Sequence, residues 1–244
     1  VLTAAAAEDV AGVTVNLADG TATDGFGTQD QLTNIENVTG TDQSDQLTGS
    51  DAANVILGNA GDDVIAGLDG ADAIAGGTGD DQLFGGAGAD QIAGDAGDDY
   101  IVGGIGADAI DGGTGTDEID YSTDAAAGGD AGVTVDLAAG TATDGFGAQD
   151  QLTNIENITG TDQTDQLTGS DAANVILGNA GDDVIAGLAG ADTIDGGTGT
   201  DEIDYSTDAA AGGDAGVTVD LADGTATDGF GAQDQLTNIE NITG

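Results

Sequence analysis

The chain contains no lysine, arginine or histidine, and no cysteine, methionine, tryptophan or proline. Against those absences stand 47 aspartates and glutamates, a formal charge of −47 over 244 residues. A protein without a cationic side chain cannot neutralise phosphates, so nucleic-acid binding is out unless a metal bridges it. Nucleophilic catalysis by Cys, Lys or a Ser–His pair has no residues to work with. Zinc sites built on Cys or His are excluded too, as are disulfides. No apolar run approaches the ~18 residues of a membrane span, so membrane insertion is not expected. Val1–Ala7 lacks the basic start and apolar core of a signal peptide, and there is no initiator Met. The chain therefore reads as a mature fragment or a segment of something longer. Composition alone would suit a disordered polyanion, but the order of the residues argues otherwise.

The string QLTNIEN begins at Gln31, Gln151 and Gln235, and GVTV begins at Gly12, Gly132 and Gly216. Within these long repeats lies a period of nine. Leu47, Ile56, Ile65, Ile74, Leu83, Ile92, Ile101, Ile110 and Ile119 fall at that interval, and a second series runs through Leu167, Ile176, Ile185, Ile194 and Ile203. Two residues before each stands an Asp, or an Asn at Asn54 and Asn174; two residues after almost every one stands a Gly. The layout is a connector over 1–40, a block of nine units over 41–120, a connector over 121–160, a block of five units over 161–204 and a connector over 205–244, expected to form one continuous solenoid.

Written from the glycine, the clearest units are Gly76-Gly77-Thr78-Gly79-Asp80-Asp81-Gln82-Leu83-Phe84 and Gly85-Gly86-Ala87-Gly88-Ala89-Asp90-Gln91-Ile92-Ala93. They resemble the RTX (repeats-in-toxin, haemolysin-type) calcium-binding nonapeptide, G-G-x-G-x-D-x-U-x with U a large aliphatic. The resemblance covers about half the chain, with about ten matches in one frame. Three glycines in six residues permit positive φ angles in a tight turn, and the next three residues form a short strand whose middle side chain is buried. Two units then make one coil of 18 residues, with turns on opposite edges. Corresponding aspartates of successive coils lie one strand spacing apart, about 4.8 Å.

The resemblance implies an all-β fold, a right-handed parallel β-roll (β-solenoid), with multiple Ca²⁺ ions held between the turns by carboxylate oxygens and turn carbonyls. A ligand set of hard oxygens suits Ca²⁺ better than transition metals. The implied metal ligands form ladders. In the first block they are Asp45, Asp63, Asp81, Asp99 and Asp117 on one edge and Asp72, Asp90 and Asp108 on the other. In the second block they are Asp165, Asp183 and Asp201 on one edge, with Asp192 opposite. The first units of each block depart from the family pattern: Asn54 and Asn174 replace Asp, and Ala52 and Ala172 replace the mid-turn glycine, so weaker sites are expected there. An EF-hand is excluded, because no D-x-D-x-D-G loop has a Glu at its twelfth position.

Other features carry less. Val64, Ala66, Gln82, Phe84, Tyr100 and Val102 flank buried positions and are expected to face outward, either as a lateral packing patch or as scattered surface apolars. Phe26, Phe146 and Phe230 recur in T-D-G-F-G, followed by Asp30, Asp150 and Asp234. That motif fits either an additional calcium turn or a turn capped by a buried Phe. Val133, Val135 and Leu137 alternate with polar residues as a half-buried strand does. Doublets such as Asp80–Asp81 suggest a glycosidase pair, but adjacent turn residues face different ways, and no enzyme is expected.

Two functions remain. In the first the chain is a calcium-dependent structural region of a large secreted bacterial protein, an adhesin stalk, surface layer or extracellular matrix filament, that folds on Ca²⁺ binding outside the cell. Its end at Gly244, in phase with Gly40 and Gly160, leads to the expectation of self-association into filaments or layers. The alternative is a non-catalytic RTX module that aids type I secretion and folding of a secreted enzyme or toxin. Ice or ligand binding by the outer face lacks the flat, ordered Thr array it would want.

Overall fold

In the computed structural model residues 2–3, 11–129, 131–208, 212–213 and 216–244 are described. The chain divides into two compact units, one of Val1–Ile119 with Asp150–Ile155 and one of Asp120–Gln149 with Glu156–Gly244. Both are parallel β-rolls, and a short helical segment spans Asp124–Ala127.

In the first unit the alternating units of nine feed two sheets. Gln46–Thr48, Val64–Asp69, Gln82–Ala87, Tyr100–Ile105 and Glu118–Asp120 pair in parallel in one. Asn37–Thr39, Val55–Ala60, Ala73–Thr78, Gln91–Ala96, Ala109–Thr114 and Gln149–Thr153 pair in parallel in the other. The register is 18 residues, so Ile65 aligns with Leu83 and Leu83 with Ile101. Strand side chains alternate sides with a period of two, which sends these aliphatics between the sheets. Ile56, Ile65, Leu83, Ile101 and Ile119 are completely buried. The nine-residue spacing thus sets the core directly.

The second unit repeats the plan. Asn157–Thr159, Val175–Leu177, Thr193–Asp195 and Gln233–Thr237 run in parallel, opposite Thr134–Asp136, Gln166–Thr168, Val184–Ala186, Glu202–Asp204 and Asn241–Thr243.

The connectors contribute strands of their own. Each GVTV segment opens an antiparallel hairpin: Thr14–Asn16 with Thr21–Thr23, Thr134–Asp136 with Thr141–Thr143, and Thr218–Asp220 with Thr225–Thr227. The middle copy buries Val133 and Val135 and leaves Thr134 exposed, as the alternation predicts. The QLTNIEN segments then re-enter the rolls, with Ile110 aligned to Leu152 and Ile194 to Leu236.

Two details differ from expectation. Val102 is buried, because Phe84 is its register partner on the adjoining strand and shields it, while the Phe84 and Tyr100 rings meet edge-on at 6.0 Å. The Phe of T-D-G-F-G is not a buried cap: Phe26 and Phe230 are exposed and Phe146 is half-buried. Those turns are closed by aspartate instead. Asp144 Oδ1 accepts the N–H groups of Phe146 and Ala148 at 3.0 and 2.6 Å, and Asp228 does the same for Phe230 and Ala232.

Candidate metal centre

Glycines shape most of the turns between strands, though Asn59, Leu68, Asp95, Asn179 and Leu188 take the positive-φ position in theirs. In the unit beginning at Gly76, Gly77 and Gly79 have φ of 118° and 125°, a region that side chains with a Cβ seldom enter. The first glycine of a unit serves another end. A Cβ on Gly58 would collide with both Asp63 Oδ2 and the Gly76 carbonyl oxygen, and a Cβ on Gly94 with Asp99 Oδ2 and the Gly112 carbonyl. The missing side chain lets a carboxylate oxygen and a carbonyl of the next coil crowd the same spot.

The aspartates stack through the backbone. The N–H groups of Asp45, Asp63, Asp81 and Asp99 each donate to Oδ1 of the aspartate 18 residues on, at 2.7–2.8 Å. Asn54, Asp72 and Asp90 do the same on the opposite edge, reaching Asp72, Asp90 and Asp108. In the second unit Asp165 and Asp183 donate to Asp183 and Asp201, and Asn174 to Asp192. The acceptor aspartates are at most 2 % exposed. In eight of them one oxygen is therefore satisfied by the fold, and the other is not. Oδ2 of Asp63, Asp72, Asp81, Asp90, Asp99, Asp183, Asp192 and Asp201 is buried with no hydrogen-bond partner.

A buried, half-satisfied carboxylate is costly as an anion. Burial foremost, helped by neighbouring carboxylates, pushes Asp63 and Asp183 up to about 7 and Asp81 and Asp99 up to about 6. Bonds from the preceding coil's N–H only partly offset this. A carboxylate oxygen and a turn carbonyl crowding one spot with no donor between them call for a cation or a proton. The donor set is oxygen alone, from carboxylates and carbonyls, which fits Ca²⁺. Among the described residues no group of three acidic side chains converges to enclose a metal alone, so backbone carbonyls must complete such a site.

The starts of the blocks are built differently. Asp45 receives the N–H groups of Val13 and Thr41, both at 2.6 Å, and the Thr41 hydroxyl at 3.0 Å. Asp165 receives the same three donors from Val133 and Thr161. Both oxygens of these two carboxylates are thus satisfied by the chain. In the next turn Asn54 accepts the Ser50 N–H and donates its amide to the Glu36 carbonyl at 2.6 Å and to Ser50 Oγ at 3.2 Å. Asn174 repeats this with Ser170 and Glu156. An amide N–H₂ there bridges by hydrogen bonds what a carboxylate could bridge only through a cation.

The Asp doublets split as turn residues should. Asp80 is exposed and receives the Asp98 N–H at 2.9 Å, while Asp81 is buried in the ladder. Two ladder members escaped the nine-residue frame. Asp150 Oδ1 accepts the Asp108 N–H at 3.0 Å, and Asp234 Oδ1 accepts that of Asp192 at 3.1 Å. Both belong to the connectors and lie 42 residues beyond their partners instead of 18. Their signal was present: G-F-G-A-Q-D-Q-L is a nonapeptide turn with one residue inserted.

A family model, the RTX calcium-binding nonapeptide repeat (4 copies), matches residues 39–74, 66–101, 84–119, 159–194 and 168–203. Among curated proteins the chain has no match. The matched residues make up just over half the chain and hold nearly all of the aspartate ladder. The chain belongs to the RTX family of calcium-binding nonapeptide repeats.

Proposed function

We propose that this chain is a non-catalytic structural region of a large secreted bacterial protein, wound up by calcium after export and acting as an adhesin stalk, surface layer or matrix filament. The cations sit between turns, held by Asp63, Asp72, Asp81, Asp90, Asp99, Asp108, Asp117, Asp183, Asp192 and Asp201 together with turn carbonyls. Asp45 and Asp165 mark the ends of their ladders, where Thr and Val donors take the place of one ion. The observation that carries this reading is the row of buried Oδ2 atoms without a partner. A fold that leaves so many anionic oxygens buried and unpaired depends on an external positive charge, and a divalent ion with a preference for many oxygen ligands, calcium, supplies it. Chains that remain extended where calcium is scarce suit export and then fold beyond the membrane.

A calcium titration of the chain, followed by far-ultraviolet circular dichroism, tests the location. The expected folding midpoint lies at about 10⁻⁴–10⁻³ M, the range of extracellular calcium modules. A chain already folded at sub-micromolar calcium would contradict folding after export.

A further inference from the structure

Outside the matched repeats, the last connector buries a second set of carboxylates. Asp208 is 3 % exposed and Asp228 is completely buried. The Gly229 N–H donates to Asp208 Oδ2 at 2.8 Å, which sets the Asp208 carboxyl against the turn that Asp228 closes. Gly229 has no room for a side chain, since a Cβ there would meet Asp208 Cβ at 2.8 Å. Asp228 Oδ1 is occupied by the N–H groups of Phe230 and Ala232. What remains is Asp208 Oδ1 and Asp228 Oδ2, both buried and both without a hydrogen-bond partner. Asp208 is held above the usual carboxylate range by burial and by the charges of Asp228 and Asp204. The nearby Asp234 offers no relief, because its carboxylate, which accepts the Tyr205 hydroxyl at 2.8 Å and the Asp192 N–H, has no donor to give and adds a like charge.

We propose that Asp208 and Asp228 hold a divalent cation, calcium by the hardness of its oxygen donors, which ties the segment after Tyr205 to the T-D-G-F-G turn. The site lies outside the nonapeptide ladders and goes beyond the function proposed above. The middle connector repeats the backbone contact: Gly145 donates to Asp124 Oδ2 at 2.9 Å, and Asp124 and Asp144 are both buried. The first connector supplies the contrast. At the matching position, 120 residues before Asp124, the sequence has Ala4, and Asp24 is only half-buried. The sequence carries no carboxylate at that position, and Asp24 is not buried. The remaining ligands would be carbonyl and water oxygens, as is ordinary for calcium.

The test compares the full chain with its Asp208→Asn/Asp228→Asn variant in calcium, counting bound calcium and recording terbium luminescence excited through tyrosine. Tyr205 is the reporter, since Asp234, Asp208 and Asp192 all act on its hydroxyl, and Tyr205→Phe defines its share of the emission. The expected result is the loss of one bound equivalent together with a drop in the Tyr205-dependent emission, the remainder coming from the ladder ion at Asp192, while the strand signal of the ladders persists. Asparagine keeps an acceptor for the turn N–H groups. Should the double variant fail to fold, Asp228→Asn alone is read by the same criterion. An unchanged calcium count with unchanged Tyr205-dependent emission would overturn the site. So would an infrared carboxylic-acid band at neutral pH in calcium that vanishes in the variant, because it would place a shared proton between the two carboxylates.

Discussion

Removing calcium with a chelator at pH 8 is expected to abolish most of the strand signal in circular dichroism, and acidifying the metal-free chain to about pH 4.5 is expected to restore part of it. The direction follows from the buried ladder. In the unfolded chain each aspartate titrates near its ordinary value of 3.8, while in the fold Asp63 and Asp183 are pushed up to about 7 and Asp81 and Asp99 to about 6. Between those values the folded chain binds more protons than the unfolded one, so metal-free stability falls as pH rises. It is greatest below about 4 and is lost through about 7. A proton can therefore replace the cation in part, relieving the charge on Oδ2 without joining two coils. Calcium reverses the dependence: its ligands must be deprotonated, so its affinity rises across the same window and binding near pH 6 releases protons. A strand signal in chelator that is equal at pH 4.5 and pH 8 would contradict this electrostatic origin.

Substitutions at Asp81 are expected to separate the two jobs of a ladder aspartate. Asp81→Ala deletes the acceptor for the Asp63 N–H and the oxygen facing the neighbouring turn. Breaking one side of a buried charge pair of this kind costs about 3–5 kcal/mol, so the calcium-loaded chain should melt at lower temperature and bind fewer ions. Asp81→Asn should also lose calcium yet spare the metal-free chain. Its carbonyl can still accept the Asp63 N–H, and its amide can donate to a turn carbonyl, as the amide of Asn54 donates to Glu36. Equilibrium unfolding with and without calcium distinguishes the two. If Asn is as damaging as Ala in chelator, the amide does not substitute for the ion.

The parts of this molecule that repeat locally were legible in its sequence. A large aliphatic every ninth residue fixes which side chains enter the core, and the Asp two residues earlier fixes the ladder, because both depend on a short stretch of backbone. What required coordinates was long-range or irregular. The saturation of Asp45 by Val13 spans 32 residues, and no local pattern announces it. Asp150 and Asp234 join the ladders after an excursion of 42 residues, which a search by period passes over. A buried Phe cap is one of two readings of T-D-G-F-G, yet that short turn leaves Phe26 and Phe230 exposed, and aspartate closes it. The Asp208–Asp228 pair joins two loops 20 residues apart in sequence, and its significance rests on which oxygens already have donors.

The dependence on metal is tested most directly by a crystal structure grown in calcium, with anomalous difference density collected at long wavelength. Peaks are expected beside the Oδ2 atoms of Asp63, Asp81, Asp99 and Asp183, and none beside the amides of Asn54 and Asn174. Strands wound in the same 18-residue register around turns that show no anomalous peak would contradict the claim that calcium holds this polyanion together.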